Sequence, residues 1–468
     1  MDTFLSYIST LSDFLWTYVV ITMLVGCAVY FTINLRAVQF TRLGEMMRLL
    51  FGKGTENKSF EEDGHRRISS FQAFAVSLSS RVGTGNLAGV ASAIFVGGPG
   101  AVFWMWIMAL LGASTAFMEA TLAQLYKRRG KDSFYGGPAY YMQYGLHRRW
   151  MGILFAIFII FGFGLANQIV QSNTICDAMS EAFQLPVGWM AAILTVMTMV
   201  IIFGGIQRIA RFSAMVVPVM AVGYLILALV ILLMNITQVP AMLALIVKSA
   251  FGWHQAAGGM VGMAIMQGVK RGLFSNEAGE GSAPNAAATA TISHPVKQGL
   301  LQSLGVFTDT IVICTCTAFI VLLSGLYQGD ADGIILTARA MNHHLGAMGA
   351  WYLTASIFLF AYSTIIANYF YGEANIRFIC DKKWVINGFR IASGLVVLAG
   401  GFLTLQQAWC IVDLAMALMT IINLIAVLLL SKYAFRMLNN YLQQRREGRD
   451  PVFRRDMLPE VSEDLEAW

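Results

Sequence analysis

Two short stretches of the 468-residue sequence gather polar groups inside runs that are otherwise apolar: SSRVGTGNLAG, residues 79–89, and KRGLFSNEAGEGSAPN, residues 270–285. Both contain glycines able to interrupt a helix, with oxygen-bearing side chains around them. A half-helix ending near Val82 leaves carbonyl oxygens unpaired, which suits a small cation; one beginning near Asn86 leaves N–H groups, which suits a carboxylate. Gly83 and Gly85 let a ligand approach the backbone, while the Thr84 hydroxyl and the Asn86 amide add oxygen ligands. A glycine-rich packing seam between helices would use the same residues and bind nothing. A phosphate loop is disfavoured, because no strand is expected before it. In the second stretch Ser275, Asn276, Glu277, Glu280 and Asn285 are costly in lipid, so they are expected to face the protein interior or water.

The elements that position these groups follow from composition. With 57% hydrophobic and 12% charged residues and a mean hydropathy of +0.63, this is expected to be an all-α polytopic membrane protein. Asp2 and Asp13, with no basic residue before the first apolar run, argue for a retained first helix rather than a signal peptide. The six cysteines (Cys27, Cys176, Cys314, Cys316, Cys380, Cys410) are scattered and show no CxxC spacing, so neither a disulfide framework nor a metal centre is expected. No histidine falls well inside an apolar run, which weakens a haem or quinone enzyme reading.

Eleven apolar stretches are expected to span: 14–35, 69–97, 99–125, 150–175, 187–206, 212–235, 255–291, 299–323, 349–372, 386–404 and 408–431. The links alternate in basic residues, seven in 36–68 and six in 126–149, against Lys248 and Arg339 on the other side. That asymmetry puts the amino terminus outside and the tail in the cytoplasm, and it explains the +6 net charge without a nucleic-acid partner. The spans divide as one plus five plus five: an amino-terminal helix with a basic cytoplasmic loop (1–68), one five-helix group (69–235), a second (236–431), and a solvated tail (432–468). An odd number of crossings separates the two groups, so their topologies are inverted. Each opens with an interrupted helix, broken around Gly83 to Asn86 and around Phe274 to Gly281, and paired interruptions point to a transporter's binding site. Thirteen residues from Ser69 reach Val82 at about 20 Å depth, so the first break lies near mid-bilayer and must line protein or water. The segment 255–291 is too long for one crossing; its first part is expected along the outer surface, with Lys270 and Arg271 in an outer vestibule.

Several further residues are candidates. Arg81 at mid-helix costs about 2.5–3.5 kcal/mol unless paired, and Asp309 or Glu277 is its expected partner, either as a structural lock or as a moving gate. Ser363 and Thr364 are adjacent hydroxyls that could bind an ion or bond back to their own helix. Gln171 lies on the outer part of the fourth span, and Glu119 is expected as interfacial structure near the inner face. Trp104, Trp106, Tyr140, Tyr141 and the 26 methionines read as belts and packing.

SSRVGTGNLAGVASA, GGPGAVFWMW (97–106), GGPAYYM (136–142) and RGLFSNEAGEGSAPNAA (271–287) together closely resemble the alanine/glycine:cation symporter family, the prokaryotic sodium:alanine symporters, over roughly residues 14–450. The resemblance implies a 5+5 inverted-repeat core of leucine-transporter type with two broken helices, behind one extra amino-terminal helix, in the plasma membrane. It implies sodium-driven uptake of small neutral amino acids, alanine and glycine first. Carried over by position, Thr84, Gly85, Gln171, Ser275 and Asn276 would meet the substrate's carboxylate and amino groups, with Phe274 in the apolar wall. Sodium would lie among carbonyls near Ser79 and Val82 and the hydroxyls of Ser363 and Thr364, and Asn86 matches a second cation ligand of the fold. Glu280 departs from the family pattern, in which methionine is expected, and bears on substrate and coupling ion. The alternatives are proton coupling through Glu280 or Asp309, a larger substrate such as glutamine, a channel, and a membrane enzyme. The enzyme reading lacks a nucleophile and base at a recognisable spacing.

Overall fold

The computed structural model describes residues 2–52, 68–130, 133–252, 258–403 and 405–468. Lys53, Lys58, Arg66, Arg67 and Lys131 of the expected basic loops lie outside the described residues, as do positions 253–257 of the long seventh segment. The principal helices, in chain order, are α1 (Tyr7–Asn34), α2 (Ser70–Arg81), α3 (Gly85–Gly97), α4 (Gly100–Leu125), α5 (Arg149–Phe183), α6 (Val187–Ile202), α7 (Gly205–Met234), α8 (Val239–Ala250), α9 (Gly258–Asn276), α10 (Pro284–Ala287), α11 (Pro295–Ser324), α12 (Gly333–Leu345), α13 (Ala347–Ile379), α14 (Lys383–Gly400) and α15 (Leu405–Arg446). Seven of these, α1, α4, α5, α7, α11, α13 and α15, are long and apolar enough to cross a membrane. The only sheet among the described residues is a short antiparallel pair, Arg128–Arg129 with Phe134–Tyr135.

The apolar stretches and the helices differ at their ends for one reason: hydropathy marks what lipid covers, whereas a helix continues until something breaks it. Thus α15 runs to Arg446, past the expected boundary at 431, because 432–446 contains no Gly or Pro; Gly448, at φ +73, follows. For the same reason α5 extends to Phe183, and α8 forms where only a link was expected. Residues 258–276 are one continuous helix packed on α4 and α3 rather than a separate surface segment.

Lipid contact and close interior packing are both readable in the side chains. On α7, Met215, Val219, Val222, Ile226, Leu229 and Leu233 are exposed, and their alternating spacing of four and three places them on one apolar face. Inside, α4 packs against α9 and α11. A Cβ at Gly268 would come within 2.5 Å of the Ala101 carbonyl oxygen, a backbone approach that small residues permit and that drives helix association in lipid.

Candidate functional site

The first break begins from a well-made helix start. Ser69 and Gln72 form a reciprocal capping box (3.1 and 3.0 Å), so α2 is fixed at its N-terminal end. It stops at Val82, whose ψ of 83° is not helical. The chain resumes because the Asn86 side-chain oxygen reaches back to the Gly83 N–H, at 2.9 Å, much as a capping-box acceptor does. The unwound residues are therefore Val82 to Thr84, slightly earlier than the expected Gly83 to Asn86.

At this break four carbonyls meet one hydroxyl. Thr364 Oγ1, from α13, lies 2.8 Å from Ser79 O, 3.0 Å from Phe360 O, and 3.5 Å from both Ser80 O and Val82 O. A hydroxyl has a single proton, so it can serve only one of these acceptors, and the remaining oxygens turn their negative ends toward a common point. Such a set of neutral oxygens fits a hard cation. Gly83 makes room for it, since a Cβ there would sit 2.5 Å from Thr364 Oγ1. Of the expected cation ligands, Ser79, Val82 and Thr364 come together; Phe360 O is the i−4 carbonyl of the helix that carries Thr364. Ser363 does not: its hydroxyl donates to Phe360 O (2.9 Å) and faces Met220 Sδ (3.6 Å).

The expected substrate residues form a second cluster beside the first. Thr84 N–H donates to Gln171 Oε1 at 3.3 Å, and Gln171 Nε2 donates to Thr84 Oγ1 and to Asn167 Oδ1, both at 3.0 Å. Gln171 is buried on α5, just after a π-helical turn, Gly162–Asn167. Gly85 faces the ring of Phe274; a Cβ there would lie 2.9 Å from Phe274 Cδ1 and 3.5 Å from Ser275 Cα. The Phe274 ring in turn packs on Trp409, with centroids 4.7 Å apart.

A carboxylate joins the two breaks. Asp309 accepts from Asn86 Nδ2 at 2.6 Å, from Ser275 Oγ at 2.7 Å and from Thr310 Oγ1 at 2.9 Å. It sits on another π-helical stretch, Phe307–Cys314, a kind of turn frequent at functional sites. Asn276 donates to Thr310 Oγ1 at 3.1 Å, and its own oxygen accepts from Ala278 N at 3.0 Å. The Asn86 oxygen is already engaged with Gly83 N, so what Asn86 offers Asp309 is its amide donor.

The Arg81 ion pair expected with Asp309 or Glu277 is not what forms. The buried guanidinium donates from Nη1 to Gln302 O, at 3.3 Å, and its Nε has no partner. It occupies the space left by Gly305 on α11. Asp309 is instead surrounded by three short donors, and Glu277 is bonded by the hydroxyls of Ser80 and, at 2.5 Å, Ser282.

The second break spans Glu277 to Ala283, later than the expected Phe274 to Gly281, so Phe274, Ser275 and Asn276 form the last turn of α9. Glu277, Gly279 and Gly281 all have positive φ (56°, 101° and 81°), where a glycine costs least. Glu119 proves to be part of this break and not interfacial structure: it is buried, accepts from Gly279 N–H at 3.2 Å, and is bonded by Asn423 Nδ2. Residue counting from Pro99 gives a position along α4 but not the contact with Gly279, which lies 160 residues away in sequence. Glu280 is fully buried, and among the described residues neither carboxylate oxygen has a hydrogen-bond partner. Trp409, Phe360, Thr310 and Asn167 carried no sequence signal, since each looks like ordinary packing until the helices are assembled.

The molecule's likeness to known proteins agrees with this arrangement. The family model described as the sodium:alanine symporter family matches residues 1–455. The probable sodium/glutamine symporter GlnT of Bacillus subtilis (strain 168) is 48% identical over 98% of this chain and 94% of its own length. The amino-acid carrier protein AlsT of the same organism is 48% identical over 99% of this chain and 98% of its own. The crystal structure of the Eremococcus coleocola manganese transporter, with an aromatic bis-isothiourea substituted compound, superposes with a TM-score of 0.51 at 13% identity, covering 89% of this chain and 88% of that one. That last likeness concerns the fold alone. A transporter family matched over nearly the whole sequence leaves no room for an enzyme, and this multi-pass membrane protein belongs to the sodium:alanine symporter family.

Proposed function

We propose that the protein carries small neutral amino acids, alanine and glycine first, into the cell together with sodium by alternating access. The observation that carries this reading is the meeting of Thr364 Oγ1 with the Ser79 and Val82 carbonyls, two residues before the Thr84–Gln171 contact. Sodium would enter among those oxygens. The substrate carboxylate would take the place of Gln171 Oε1 on the Thr84 N–H, at the start of α3 where the helix dipole favours an anion. The Ser275 hydroxyl and Asp309 lie on the opposite side of the break and can face the amino group. Gly85 against Phe274 leaves little side-chain room, which favours small substrates. The eleven crossings are read as one amino-terminal helix followed by two inverted groups of five, with the amino terminus outside and the carboxyl terminus in the cytoplasm. Each positive charge carried inward down 100 mV supplies about 2.3 kcal/mol, enough to concentrate a neutral amino acid.

A second reading rests on Glu280 and on the relative named for glutamine. A fully buried carboxylate without a donor is costly unless it is neutral or holds a cation, which suits proton coupling. Radiolabelled uptake into proteoliposomes decides: accumulation of alanine above equilibrium under an inward sodium gradient, but not an equal potassium gradient, supports the first reading. Uptake that follows inward acidity, or that takes glutamine and not alanine, supports the second.

A further inference from the structure

Residues 450–468 have no part in the transport cycle just described, and they are not the solvated tail that their charge pattern suggests. Phe453, Leu458, Val461, Leu465 and Ala467 are all buried. After leaving α15 the chain folds back beneath the second break. Asp450 pairs with the buried Lys297 at 2.8 Å. Pro451 O accepts from Ser293 Oγ at 2.9 Å, and Phe453 N–H donates to Ser293 O at 2.8 Å. Farther on, Arg128 donates to Asp464 O at 3.0 Å and pairs with Glu466 at 3.2 Å, and Arg129 N–H donates to Glu466 Oε1 at 2.9 Å. The final residue, Trp468, donates from Nε1 to Gln124 O at 3.0 Å and stacks edge-on against Phe453.

The parts so tied are also fastened to one another. The link between α10 and α11 is held to the start of the first broken helix by Thr291 N–H on Ile68 O, at 3.0 Å. It is held to the end of α4 by Lys127, whose ammonium donates to Ala290 O at 3.0 Å and Gln124 Oε1 at 2.8 Å. The same ammonium faces two rings, Phe134 at 4.3 Å and Trp468 at 4.6 Å, an arrangement that attracts a cation. Trp468 therefore caps the lysine that fastens this link to α4, and it lies beyond the last residue, 455, that the family model matches.

We propose that residues 450–468 are an intracellular latch: docked, they hold the ends of α4 and α11 and the intervening link to α15, and they must detach before the inner side opens. The proposal rests on the reading that cargo leaves toward the cytoplasm past residues 287–297. The test is hydrogen exchange on the full-length protein in lipid, compared with Trp468→Ala and Trp468→Phe. Loss of one hydrogen bond and one ring contact should raise exchange in 286–297 and 124–136 by about tenfold in Trp468→Ala, with Trp468→Phe between it and the parent. Asp450→Asn, which removes the Lys297 partner from an exposed position, should act in the same direction. Rapid exchange of 450–468 in the unaltered protein would overturn the docking. A Trp468→Ala chain whose tail is free but whose 286–297 segment stays protected would overturn the latch. The measurement needs no substrate, so failure to transport alanine would count against the proposed function and leave this result standing.

Discussion

Replacing Thr364 by valine keeps the shape of the side chain and removes only the hydroxyl, so it isolates what that oxygen does for the ion. Two states are affected. With sodium present the variant loses one ligand of a charged species, worth about 1.5–3 kcal/mol. Without sodium it loses the bond to Ser79 O, which is 2.8 Å long and worth about 1 kcal/mol net. The difference, about 0.5–2 kcal/mol, weakens sodium affinity by roughly 2- to 30-fold. The assay is the sodium dependence of alanine uptake in proteoliposomes at saturating alanine. Ser363→Ala is the matched control, because that hydroxyl faces Met220 and Phe360 O rather than the break, and its sodium response should shift less. An unchanged sodium response in Thr364→Val, alongside a clear shift in Ser363→Ala, would refute the placement of the ion among the Ser79 and Val82 carbonyls.

Other substitutions probe the remaining contacts. Gly83→Ala puts a methyl 2.5 Å from Thr364 Oγ1 and should weaken sodium activation more than Thr364→Val does, read in the same titration. Gly85→Ala forces the Phe274 ring to give way from 2.9 Å; alanine affinity should fall several-fold while glycine, with no side chain, loses less, measured by competition for uptake. Glu280→Gln keeps the volume and removes the titratable group: uptake should persist with an unaltered sodium response under the first reading, and lose any acid stimulation under the second. In the tail, Arg436 holds the Glu460 carboxyl below its ordinary range. That contact is then fully present at neutrality and is lost as pH falls through the lowered value; because both groups are exposed, its loss should raise the measured hydrogen exchange of 458–466 only slightly in acid.

How much of this was legible in the sequence depends on the range of the interaction. The helices and both interruptions follow from local composition: apolar runs, glycines, and polar groups too costly for lipid. The convergence of Ser79, Val82 and Thr364 followed from the family resemblance, which places α13 beside the first break, and not from the spacing of those residues. The Arg81 pairing failed because depth along a helix axis says how far into the membrane a charge lies but not which way its side chain turns. Asp309 was at a suitable depth and was claimed by shorter donors from Asn86, Ser275 and Thr310. The tail failed for a similar reason. Its run of bases and then acids looks solvated, yet Asp450 and Glu466 have partners on 297 and 128–129 that are distant in sequence, while the intervening apolar residues are the buried ones.

The spacing within the first break also bears on why two cargoes would move together. Val82 offers its carbonyl to the cation cluster and Thr84 offers its N–H to Gln171, so one peptide unit on either side of Gly83 belongs to each site. A cation that draws the Val82 carbonyl toward Thr364 reorients the neighbouring N–H groups, and an anion that fixes those N–H groups holds the carbonyl in place. The hydroxyl of Ser80 lies between Glu277 of the second break and Asn368 of α13, the latter at 2.8 Å, and Asn86 reaches Asp309, which also holds Ser275. Either broken helix can shift only by exchanging these shared partners. On the sites proposed above, coupling would be a property of the short chain from Ser79 to Asn86: filling one half of it would lower the cost of ordering the other.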